Sequence, residues 1–285
     1  MLTYIFLFVF GLIIGSFLTV CIYRIPYGRE KGVLNADEQD IVEEEELPKE
    51  VGIGRPIRSF CPECRHQLAW YCNIPLFSWI ALRGRCHYCK NPIPFRYPLV
   101  EILSALACCG AYYFYGLTLT AFIVYAFVAA LIVISFIDID YYIIPNVISI
   151  PGFFLGLILA LLNQYFHFLS FPVVPGIKDA LLGVLFGAGF LLLISEVYLR
   201  LRKKEGLGMG DVKLLAMTGA FFGPQAALYT IFVGSLLGSV LGVLIILLGG
   251  KSMSHQLPFG PYLAAGNILY LFGGVNLIAA IFRLG

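Results

Sequence analysis

Apolar runs, most of them about 20 residues and so long enough to cross a bilayer as a helix, recur along most of this 285-residue chain. They fall roughly at 2–22, 98–116, 119–137, 147–165, 179–199, 212–223, 226–249 and 261–281. The sixth is short for a span. Composition agrees: 60% of residues are hydrophobic and 13% charged, against about 25% charged in a soluble domain. The expected fold is an all-α polytopic membrane protein with about eight transmembrane helices. The first run has no positive residue ahead of it, carries Arg24 after it, and lacks a small-residue cleavage pattern. It reads as a retained helix rather than a signal peptide.

Orientation follows from Lys and Arg in short loops. The loop after the first span holds Arg24, Arg65, Arg83, Arg85, Lys90 and Arg96 among others, the loop after the fifth holds Arg200, Arg202, Lys203 and Lys204, and Lys251 follows the seventh. Eight spans put all of these on the cytoplasmic face and both termini outside. The basic residues flank apolar spans and build no basic helix, so no nucleic-acid partner is expected.

The hydrophilic segment 23–97 splits in two. Residues 28–58 are acidic, with the run Glu43-Glu44-Glu45-Glu46, and read as a solvated insertion. Residues 59–97 are rich in Cys, Pro and aromatics, and too few to build a core without a staple. The pattern Cys61-Pro-Glu-Cys64 and Cys86-His-Tyr-Cys89 supplies one: four thiolates converging on a structural zinc, with a pair of disulfides or redox thiols as the competing reading. A closed four-sulfur shell leaves no open position, so no catalysis is assigned to it. Cys72, His66 and His87 are expected bystanders, and no internal repeat is evident. The division is therefore a first helix at 1–22, a cytoplasmic domain at 23–97 and a seven-helix region at 98–285.

Two aspartates at span ends carry the chemistry. Asp138 lies in Phe136-Ile137-Asp138-Ile139-Asp140, directly after the third span, with Pro145 breaking the chain before the next. Asp211 lies in Gly208-Met209-Gly210-Asp211, opening the sixth. Ionisable residues at membrane depth are functional candidates by default. The basic-loop topology, built without reference to either aspartate, puts both on the cytoplasmic side. Two carboxylates that share a proton split their acidities, which suits hydrolysis of a peptide bond. The competing readings are boundary residues and helix caps, an ion-relay transporter, or a scaffold. Asp140 is expected to support or cap, and Glu101 to pair with a nearby arginine.

At this point the residues resemble a known family. Gly15-Ser16-Phe17-Leu18 through Tyr23-Arg24-Ile25-Pro26, the paired cysteines, Asn73 through Trp79, Leu82-Arg83-Gly84-Arg85-Cys86, Arg96 through Glu101 and Gly208-Met209-Gly210-Asp211 are similar to the bacterial type IV prepilin peptidases, the bifunctional leader peptidase/N-methyltransferases of the Gly-x-Gly-Asp aspartyl class. The resemblance covers nearly the whole chain. It implies that Asp138 and Asp211 are the catalytic pair, Asp138 rather than Asp140 because it lies seven residues before Pro145. The implied substrates are prepilins and pseudopilins, cut after a glycine at the cytoplasmic face of the bacterial inner membrane. Methylation of the new N-terminus with S-adenosylmethionine is implied too, with Gly84 tied to methyl transfer. The chain departs from the family pattern at Thr19, where asparagine is common, and at Asn146, where aspartate is common. The acidic insertion is also longer than in many members.

Overall fold

The computed structural model describes residues 1–26, 59–174, 176–203, 208–249 and 257–274. The acidic insertion expected at 28–58 and the end of the last expected span lie outside these described residues. The described chain is helical, apart from two isolated antiparallel bridges beside the cysteines. Its helices are α1 (Leu2–Arg24), α2 (Phe77–Ala81), α3 (Arg96–Tyr115), α4 (Leu119–Tyr141), α5 (Asn146–Phe166), α6 (Ile177–Val184), α7 (Phe190–Arg202), α8 (Met209–Gly249) and α9 (Gly260–Leu269). A π-helical turn, Leu185–Gly189, joins α6 to α7. Six described helices, counting α6 to α7 as one, are long and apolar enough to cross a membrane. The chain separates into two compact units, Met1–Gly116 with Tyr125–Tyr141, and Leu117–Val124 with Tyr142–Gly285.

In the first unit α1 lies along α3 at a separation only glycine permits. A Cβ at Gly11 would stand 2.5 Å from the Ala105 Cα, and one at Gly15 would stand 2.6 Å from the Glu101 Cα. Two glycines four residues apart let helix backbones touch where lipid removes most of the hydrophobic drive for association. The α4 segment of this unit buries Leu131, Ile134 and Ile137 completely. The Tyr125 hydroxyl meets Ser104 on α3 at 3.0 Å.

The second unit is organised on α8. At about 1.5 Å per residue a continuous helix of 41 residues would be twice the thickness of the hydrocarbon core. It breaks at Gly223, whose φ of 79° and ψ of −172° suit a residue with no Cβ, and Pro224 follows. The break falls where the apolar pattern predicts a boundary between 212–223 and 226–249. Gly183 of α6 presses on Gly219 of α8, where a Cβ would stand 2.2 Å from the Gly219 carbonyl oxygen. Asn163, buried in α5, secures the loop that follows. Its amide nitrogen donates to the Leu169 and Val174 carbonyls at 3.3 and 3.0 Å, and its oxygen accepts from the Leu169 N–H at 2.8 Å. Irregular backbone within apolar surroundings needs such internal partners.

Candidate metal centre and aspartate ends

The metal centre assembles from two short turns that are near copies of each other. In the first, the Arg65 N–H donates to the Cys61 carbonyl at 2.8 Å and the Cys61 N–H to the His66 carbonyl at 3.0 Å. In the second, the Lys90 N–H donates to the Cys86 carbonyl at 3.1 Å and the Cys86 N–H to the Asn91 carbonyl at 2.9 Å. Arg65 and Lys90 both adopt positive φ, 55° and 62°. Each turn closes with a bridge, Phe60 to Gln67 and Arg85 to Pro92. The two knuckles expected from the cysteine spacing thus share one backbone design. In sequence they share only the cysteines and the basic residue that follows each pair, Arg65 and Lys90.

The turns bring the Sγ atoms of Cys61, Cys64, Cys86 and Cys89 within 4.8 Å of one another, with Cys61 and Cys89 at 3.9 Å. A tetrahedron of sulfurs about 2.3 Å from zinc has edges of about 3.8 Å, so the cluster is of the right size. All four cysteines are free, and 3.9 Å is far beyond a disulfide bond of about 2.05 Å. Burial pushes the Cys61 thiol up to about 12. Burial acts the same way on Cys86, but the backbone N–H groups of Cys89 and Tyr88 and the adjoining thiols outweigh it and bring that thiol down to about 7. A dication that displaces the remaining protons would take the whole set. His66 instead stacks on Tyr88 at 3.7 Å, and His87 packs edge-on to Tyr88 at 5.1 Å.

Gly84 lies between the turns, at φ 66°. A Cβ there would stand 2.9 Å from Cζ2 of Trp79. The indole N–H of Trp79 donates to the Ile93 carbonyl at 3.1 Å, and the Ile93 N–H donates to the Gly84 carbonyl at 2.7 Å. Gly84 is therefore the floor on which Trp79 rests.

Asp138 belongs to the first unit and Asp211 to the second. The sequence places Asp138 beyond the third span and ahead of a helix; in fact α4 continues to Tyr141, so Asp138 sits inside its last turn, 5% exposed. A carboxylate next to an apolar run reads as an end, but hydrogen bonding carries the helix one turn further. Asp140 pairs with the Arg96 guanidinium. Arg96 also donates to the Phe136 carbonyl at 2.9 Å and lies over the Phe136 ring at 5.1 Å. The start of α3 is thus clamped to the end of α4, with Arg96 in a positioning role that the sequence did not reveal. In place of the arginine that the sequence suggests, Glu101 accepts the Leu76 N–H at 2.7 Å and a hydrogen bond from Ser16.

Asp211 lies in the first turn of α8. Its N–H donates to the Gly208 carbonyl at 3.1 Å, and its Oδ2 leans over Gly208, 3.3 Å from where a Cβ would stand. Gly210 faces Ile144, whose Cβ would be 2.9 Å from an added Cβ. Lys213 donates to Oδ1 of Asn146 at 2.8 Å, linking the starts of α5 and α8.

Residues 9–115 match the Bacterial Peptidase A24 N-terminal domain, and residues 125–243 match the Type IV leader peptidase family. A curated protein of Pseudomonas aeruginosa, named prepilin leader peptidase/N-methyltransferase, is 38% identical over 265 residues, covering 92% of this chain and 88% of its own. The chain belongs to the type IV leader peptidase family. Further members with the same name come from Stutzerimonas stutzeri, 37% identical over 95% of this chain and 91% of its own, and Burkholderia pseudomallei, 34% identical over 94% and 85%. No solved structure matches this family member. The boundary between the two matched regions runs through residues 116–124, close to where α4 passes from one compact unit into the other.

Proposed function

We propose that this family member removes the leader of type IV prepilins and pseudopilins with Asp138 and Asp211 as its catalytic carboxylates, and then methylates the new N-terminus. The observation that carries the reading is a carboxylate held 5% exposed in the last turn of an apolar helix, at Asp138. Leaving an ionisable group there is costly without a use. The pair shares one proton. Its ionised member takes a proton from water as the water attacks the carbonyl carbon of the scissile bond. Its protonated member donates to the carbonyl oxygen and then supplies the proton that the leaving amine needs. Cleavage falls after a glycine, at the cytoplasmic face of the inner membrane, where a substrate's soluble leader meets its apolar helix.

Cys61, Cys64, Cys86 and Cys89 hold a structural zinc, which the size of the thiol cluster supports. S-adenosylmethionine supplies an electrophilic methyl group carried on a sulfonium. The curated relatives' name, which includes N-methyltransferase, supports that half of the reading.

The decisive experiment replaces Asp138 and Asp211 singly with asparagine and follows leader removal from a prepilin in detergent or vesicles. Each variant should lose at least about 1000-fold, within the range of general acid–base catalysis. Near-normal cleavage by either one removes that aspartate from the mechanism. Replacing Cys61 with serine should abolish stoichiometric zinc; retained metal would break the four-thiolate assignment.

A further inference from the structure

The first unit contains a cavity of about 450 Å³, walled by the end of α1, the cysteine turns and the start of α3. Its volume is in the range of small-molecule sites, about 300–1,000 Å³. Proteolysis by Asp138 and Asp211 makes no use of it. Among its described walls are one guanidinium, Arg24, and two carboxylates, Glu63 and Glu101. Arg24 and Glu101 are each only 7% exposed. Tyr23, Trp79 and Tyr97 supply aromatic surface.

Two buried groups of opposite sign beside aromatic rings describe the ligand they suit. It carries a carboxylate for the guanidinium, where Arg offers a planar two-donor fork. It carries cationic centres for the carboxylates and for the ring faces. It also has a flat heterocycle that can stack. A methyl donor with an amino-acid head, a sulfonium and an adenine has all of these, and its net charge is opposite to the excess carboxylate.

The backbone beside Glu101 is strained in a way that serves this arrangement. Leu76 has φ 61° and ψ −49°, and the Phe77 N–H reaches back to the Pro75 carbonyl at 2.6 Å. That is a γ-turn of the rare, strained hand. The Leu76 N–H is the one bound by Glu101. Strain of about 1–3 kcal/mol persists only where surrounding contacts over-determine it, and the residues that follow the turn are Ser78 and Trp79 of the cavity wall.

A smaller cavity of about 120 Å³ shares Thr19, Tyr23, Pro94 and Tyr97 with the larger one and is also walled by Asp140 and Tyr141, in the last turn of α4. The two cavities therefore share part of a wall, and the smaller one borders the helix end that bears Asp138, all within one compact unit.

We propose that this cavity is the S-adenosylmethionine site, with Arg24 and Glu101 as its two charged poles and Trp79 as an aromatic wall. The inference rests on the methyltransferase half of the functional reading and adds the place where the donor binds.

The chain has two tryptophans, Trp79 in the cavity wall and Trp70, which is 79% exposed. Trp70→Phe therefore leaves one indole reporting from the site. S-adenosylhomocysteine, an unreactive analogue, is titrated into this full-length, zinc-loaded variant while indole emission is followed and binding heat is measured in parallel. The expected result is a saturable change in Trp79 emission that tracks the heat. Glu101→Gln in the same background should weaken binding about tenfold, the scale of one charge-assisted contact. Because Glu101 also holds Leu76, the unliganded melting temperature is recorded, and Arg24→Lys gives a second reading that keeps the charge and loses the fork. Binding heat with silent Trp79 emission, or undiminished affinity in both variants, overturns the site and leaves the methyltransferase reading in place. No binding and no methyl transfer to a mature pilin N-terminus removes both.

Discussion

Asp138 and Asp211 are the same side chain placed at opposite ends of a helix. Asp138 is in the last turn of α4, and Asp211 is in the first turn of α8. The last turn presents the negative pole of a helix and the first turn the positive pole, so the two carboxylates sit in opposed backbone fields. Their supports differ as well. The α4 end is held by long polar reach, with Arg96 joined to Asp140, the Phe136 carbonyl and the Phe136 ring. The α8 start is held by close backbone approach, with Gly210 against Ile144, and by the exposed link from Lys213 to Asn146. The two carboxylates thus sit in backbone environments that differ before any substrate is considered.

Lengthening each carboxylate tests the contrast most strongly. Asp138→Glu forces a methylene into a site that is 5% exposed. It should lower leader cleavage by about 100-fold, the scale of a 1 Å misplacement, and should also lower the melting temperature through overpacking. Asp211→Glu, partly exposed, should slow cleavage while leaving the melting temperature near wild type. Equal thermal losses would mean that the two ends are equally confined.

Next comes Gly210→Ala. The new Cβ would lie 2.9 Å from the Ile144 Cβ, and overpacking of this kind costs about 1–3 kcal/mol. Cleavage should fall about tenfold with it, measured as initial rates on a prepilin peptide. An unchanged rate would show that the glycine beside Asp211 is not needed for its placement.

Asp140→Asn should act more gently. The Arg96–Asp140 pair is 27% and 20% exposed, so its loss is expected to cost about 0.5–1 kcal/mol, and Arg96 keeps its contacts to Phe136. Cleavage should drop a few-fold in kcat, with KM nearly constant. A loss as deep as that of Asp138→Asn would move Asp140 from support to chemistry. The smallest effect is expected from Lys213→Met, whose exposed link to Asn146 should be worth no more than about 0.5 kcal/mol in denaturant unfolding.

What was legible in advance follows the range of each interaction. Spans were readable because lipid demands continuous apolar runs, and even the break at Gly223-Pro224 was marked by its residues. The four-cysteine cluster was readable because four thiolates at two short spacings have few other uses than to hold a metal. Arg96 was missed as a clamp because Asp140 and Phe136, its partners, are far away in the chain. The close approach of α1 to α3 does leave a mark in the sequence, Gly11 and Gly15 at a spacing of four.

By itself, the sequence determined that this chain is a helical membrane protein, which residues could bind a metal, and which two aspartates merited attention. Those properties reside in local composition and short spacings, which need no partner to be expressed. Only the tertiary structure decided that Asp138 lies within a helix turn rather than after it, that Glu101 holds a strained amide instead of an arginine, and that Gly84 supports Trp79. Each depends on which atoms fill the few ångströms around a side chain, and that is set by packing between segments distant in the chain.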